Sequence, residues 1–101
     1  MTNQRIVNAA SCFLIGDLDV ADFNVPNAVQ EAIFDLPPED AFAHLKNIAD
    51  GIDALESSSA IRLASSISEA SWEMYARLLP DIRSALSAAI DDLKHKYPDV
   101  T

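Results

Sequence analysis

Apolar residues recur along this chain at intervals of three and four, with no sustained alternation of apolar and polar positions. The pattern therefore predicts helices throughout and no strand. Ile6, Ala10, Phe13 and Leu14 mark one face of a first helix over residues 3–15, with Thr2 or Asn3 as its cap and Gly16 as its left-handed terminator. Val29, Ile33 and Leu36, with Phe34 to one side, make a short second helix over 26–36. Pro26 suits its first turn, and Pro37-Pro38 ends it. A third helix starts at Pro38, with Glu39 and Asp40 complementing its dipole. Its seam of Ala41, Leu45, Ile48, Ile52 and Leu55 is spaced four, three, four and three apart, as in a coiled coil. Gly51 interrupts this seam at a cost of about 1 kcal/mol relative to alanine, so it serves either close packing or a bend. After Ser57-Ser58-Ser59, a fourth helix is expected over 59–79 and a fifth over 80–97, divided at Pro80 as a kinked rod or a hairpin corner.

The fourth predicted helix is apolar on two sides. Leu63, Ile67, Ala70 and Met74 fall on one, and Ile61, Trp72, Tyr75 and Leu79 on the opposite one. Few helices are available to surround it, so Ile61, Trp72, Tyr75 and Leu79 are expected near an interface, either between two copies or with a partner. Tryptophan and tyrosine are enriched at binding hot spots. The plainer alternative makes the single tryptophan a core plug. The expected architecture is all-α: one domain over residues 1–101, a bundle of four to five helices, its last two long and separated by the proline, associating as a homodimer.

Charge sharpens the picture. Ten of the 16 acids lie between Asp17 and Glu56, where Lys46 is the only base, and that block carries the whole net charge of −9. The rest of the chain is neutral. A pI near 4.3 argues against phosphate binding, and so against direct contact with nucleic acid or an anionic membrane. An acidic face instead suits a partner with a basic surface. Asp40, Asp50, Asp53 and Glu56 on the third helix are its leading members, and Asp17, Asp19 and Asp22 would extend it.

Candidate chemistry is sparse. Asp17-Leu18-Asp19-Val20-Ala21-Asp22 resembles the start of a calcium loop but lacks the later ligands and the glycine. His44 and His95 lack the spacing of a metal helix. Glu69 and Glu73 are better read as part of a helical ladder with Arg77. Cys12 is expected to be a small buried hydrophobe. Ala9-Ala10-Ser11-Cys12 resembles a lipoprotein cleavage box, but the apolar stretch before it is too short, so a cytoplasmic protein is expected. No catalytic set, metal site or cofactor is expected. The function expected is that of a small regulatory protein that binds and inhibits another protein, in the manner of immunity proteins, anti-defence inhibitors or antiactivators of transcription factors. The alternative is a homo-oligomeric structural module or a secretion-type chaperone.

Overall fold

The computed structural model describes residues 4–14, 23–65 and 67–99. Five helices occur in it, with no strand among the described residues: α1 (Gln4–Leu14), α2 (Val25–Ala32), α3 (Pro38–Ser57), α4 (Ser59–Ala64) and α5 (Glu69–Lys96). The caps expected at Thr2 or Asn3, the terminator Gly16 and the acids Asp17, Asp19 and Asp22 lie outside the described residues.

Short polar side chains start three of the helices. Asn24 Oδ1 accepts from the Asn27 amide above α2, Ser58 Oγ from Ile61 above α4, and Ser68 Oγ from Ser71 above α5. Each satisfies one of the amides that the first turn leaves without a partner. α3 opens differently, on Pro37 and Pro38, with the Pro37 carbonyl receiving the Ala41 amide at 2.8 Å.

α3 is the centre of the molecule and packs against each of the other four helices. All five residues of its predicted seam are buried. The seam is thus filled by the chain's own helices: α1 lies on one side of it and α5 on the other. Gly51 explains the closeness of α1. A Cβ placed on it would stand 2.6 Å from Ala10 Cβ and 2.8 Å from the Ile6 carbonyl carbon, with the Ile6 oxygen nearer still. The glycine serves close packing, one of the two roles its position allowed.

The division of the second half differs from expectation. The chain breaks at residues 65–68, not at Pro80, and α5 runs unbroken through the proline. Two physical reasons account for this. Ser68 followed by Glu69 is a strong helix start, with a capping hydroxyl and then a carboxylate at the positive end of the dipole. Pro80 and Ala76 are both exposed, so the Ala76 carbonyl that loses its amide donor at the proline can bond to water. The opposite face carries Trp72, Tyr75, Leu79, Ile82 and Leu86, all buried in the common core, and this burial anchors the helix on both sides of Pro80.

Tyr75 ties α5 to the end of α1. Its hydroxyl donates to the Leu14 carbonyl, at the C-terminal end of α1, where the last carbonyls of a helix have no partner of their own. Phe23 bridges the same region, edge-on to Phe13 at 5.8 Å and to Tyr75 at 5.3 Å between ring centroids. Burial pushes the Tyr75 phenol above its ordinary value of 10.0. The stability this group contributes is therefore complete below pH 10. It is lost as the pH climbs beyond that, because the unfolded chain ionises first. Tyr75→Phe should cost about 1–2 kcal/mol at neutral pH. It should also fall less steeply than the wild type above pH 10, as urea melts of both proteins from pH 7 to 11 would read. Parallel pH profiles would show that the hydroxyl carries no such linkage.

Candidate functional site

The residues expected to bind a partner fall into two groups, and the fold treats them oppositely. Trp72, Tyr75 and Leu79 are turned inward, only 5%, 1% and 7% exposed, and Ile61 is half-buried against the same core. The patch expected there is turned into the core between α5, α2 and α3. Arg62 roofs the tryptophan, its guanidinium 5.3 Å from the ring centroid, while also donating to Ser59 Oγ. The two faces read on the fourth predicted helix are resolved by area. Each buried aromatic removes about 150–250 Å² from water, more than Leu63 or Met74 could, so the aromatic face goes in. Leu63 and Met74 are left 72% and 45% exposed, and Ala70 is exposed with them; Ile67 is buried in the 65–68 break.

The described acidic residues are all on the surface. Asp40, Asp50, Asp53 and Glu56 are exposed on α3, as are Glu31 on α2, Asp35 in the following turn and Glu39 at the start of α3. They do not share one face. At 100° per residue Asp50 points away from the buried seam, with Glu39 and Lys46 near it. Asp53 and Glu56 turn toward α5, where the Arg83 guanidinium bridges both carboxylates. Asp40 lies on the other flank, toward α1, in a cleft with Arg5, Cys12 and His44. Arg83 comes from the neutral half of the chain, so folding partly neutralises one flank of the acidic block. The hydrogen bond that Arg83 donates to Asp53, with the charges of Asp53 and Glu56, raises the arginine's pKa above its ordinary value. With all three side chains well exposed, water and salt screen the bridge, and it contributes at most about 1 kcal/mol.

Three further positions, Cys12, Glu73 and Arg77, depart from expectation. Cys12 is exposed, not buried. It lines the α1–α3 cleft of about 610 Å³ and an adjoining hollow of about 210 Å³, and His44 borders both. Glu73 and Arg77 stand exposed on α5 without the ion pair their spacing allows; the i, i+4 bridge on that helix joins Asp92 to Lys96 at 3.0 Å. Phe34, read only as lying beside the α2 stripe, is 75% exposed. Its signal was present in the sequence: the stripe passes through Val29 and Ile33, and the next residue can only point elsewhere.

The arrangement can present charge and a few apolar side chains to another macromolecule. Among the described residues no three His, Cys, Asp or Glu side chains converge as a metal site would require, and no helix is long and apolar enough to cross a membrane. No protein-family model matches this chain, and no curated protein or solved structure does either.

Proposed function

We infer that this is a small acidic regulatory protein that acts by binding and inhibiting another protein, not by catalysis. The observation that supports this reading is the concentration of exposed carboxylates on α2, α3 and the turn between them, with Lys46 the only base in that stretch. A field of one sign on one part of a small domain speeds encounter with a partner of the opposite sign and repels wrong ones. The reading assumes a cytoplasmic setting and a protein partner with a basic surface, of the kind met by immunity proteins, anti-defence inhibitors and antiactivators. Self-association, if it accompanies this role, has Leu63 and Met74 available to it and not Trp72.

The test is capture with the tagged protein from lysate of the source cell, at low and high salt. One dominant basic protein, lost at high salt, is expected. Recovery of the bait alone, with light scattering showing a salt-resistant oligomer, would replace this reading with a structural module. On the captured partner, Glu39→Lys with Asp50→Lys should slow association about tenfold at low salt, whereas Asp53 is unsuited to reversal because it holds Arg83. An unchanged on-rate would remove these carboxylates from the encounter.

A further inference from the structure

The most exposed large apolar side chain in the described structure is Phe34, at 75%, and two residues later Leu36 is 39% exposed. They flank Asp35, whose φ of 62° lies in the left-handed region. That conformation is uncommon for residues other than glycine, and aspartate is among the few that tolerate it. The sharp reversal, closed by the Phe34 and Leu36 amides on the carbonyls of Glu31 and Ile33, lets Ile33 pack on the core while Phe34 stands out in solvent. Such backbone strain persists only where the surrounding structure holds it, and it concentrates at recognition sites.

This turn adjoins the larger cleft. Ala32 and Leu36, on either side of Phe34 in the chain, line it together with Ala43 of α3, and the alanines leave about 610 Å³ of space. That volume is within the range of ligand-binding clefts. The same stretch of chain, residues 31–40, carries four exposed carboxylates, Glu31, Asp35, Glu39 and Asp40, and no base. Of these Asp40 lines the cleft, which Arg5 and His44 also border; the excess of carboxylates lies on the turn and the helix ends beside it.

We propose that Phe34, Leu36 and the α1–α3 cleft form a docking surface for a basic amphipathic helix of a partner protein. The partner's apolar residues would meet Phe34 and enter the cleft, and its lysines or arginines would meet the carboxylates beside them, Glu31, Asp35 and Asp40. Charge selects this occupant over a second copy of the chain, since two copies meeting here would bring two sets of four carboxylates together. Helix-in-groove recognition uses such a combination of apolar anchors and a charged rim. The proposal rests on the inhibitory-binding reading above and names its surface.

The experiment uses two fluorescent peptides of roughly 18 residues, about five turns of helix. One is an amphipathic helix of leucine and lysine; the other has the same lysines with serine for every leucine. Anisotropy titrations use the full chain at low and physiological salt. The leucine peptide should bind the wild type at least about tenfold more tightly than the serine peptide, and more weakly as salt rises. Phe34→Ser with Leu36→Ser should lose about tenfold of that affinity, while Leu63→Ser with Met74→Ser, the other exposed apolar pair, should retain it. All four positions are exposed, and melts of both variants would verify that the fold is intact. Equal binding by wild type and the Phe34/Leu36 variant, equal loss in the Leu63/Met74 variant, or no preference for the leucine peptide would each overturn the docking surface. Each would leave the broader acidic-surface reading standing. A lysate capture that yields no basic protein would overturn that reading, and this proposal with it.

Discussion

Gly51→Ala should destabilise the protein strongly, although alanine is the better helix former. In an exposed helix the exchange would gain about 1 kcal/mol. Here the new methyl meets the backbone of α1 at Ile6 and the Ala10 methyl at 2.6 Å. A carbonyl cannot rotate away as a side chain can, so α1 must lift from α3. Lifting it loosens Val7, Ala10 and Leu14, all buried along that contact. Overpacking of this kind costs about 3 kcal/mol or more, leaving a net loss of at least about 2 kcal/mol after the gain in propensity. For a chain of this size that corresponds to a fall in melting temperature of about 10 °C, which thermal circular dichroism would measure directly. Adding Ala10→Gly should recover only part of the loss, because the Ile6 carbonyl remains. A Gly51→Ala variant as stable as the wild type would mean that α1 and α3 do not approach as closely as described.

Trp72→Ala should cost still more, about 3–5 kcal/mol, the usual penalty for emptying a buried aromatic site. Domains of this size hold about 5–15 kcal/mol in total, so the variant should be partly unfolded at room temperature or melt far below the wild type. The indole is 5% exposed at the meeting of α5 with the rest of the core, and Arg62 would lose the ring it covers. Denaturant melts read the effect. A variant with an unchanged melt but impaired partner binding would move Trp72 back to an interface, where the two-faced pattern of that stretch first suggested it.

That reversal shows what was legible in the sequence and what was not. The α3 seam could be read because Ala41, Leu45, Ile48, Ile52 and Leu55 hold one phase over four turns, with Lys46, Asp50 and Asp53 off that phase. The short α2 could be read from its prolines. The division of the second half was not legible at Pro80, because a proline inside a helical pattern is a break signal that burial on the other face can override. Trp72, Tyr75, Leu79, Ile82, Leu86 and Leu93 keep one phase straight across Pro80, a continuity that argues for one helix. The serines at 65 and 68 looked like an ordinary part of a helix until Ser68 was seen to cap one. Which of two apolar faces turns inward depends on what the other helices offer, and periodicity alone holds no information on that. The acidic block was legible as charge, but its division into flanks was not. Arg83 lies 30 residues from Asp53 in the chain, and only tertiary packing brings them together. Leu36 was legible as part of a helix stripe and Phe34 as lying beside it; the left-handed Asp35 between them was not.

The unbroken α5 has a consequence for how the molecule opens. At 1.5 Å per residue, 28 residues make a rod of about 42 Å, as long as the 39 Å largest dimension of the protein. Its grip on the core is uneven: complete from Trp72 to Leu86, partial at Ala89, Ile90 and Leu93, and absent from Lys94 to Lys96. One helix therefore spans the full range of local stabilities. Amides in its middle exchange with solvent only when the whole domain unfolds, whereas those of its last turn exchange by fraying while the core stays shut.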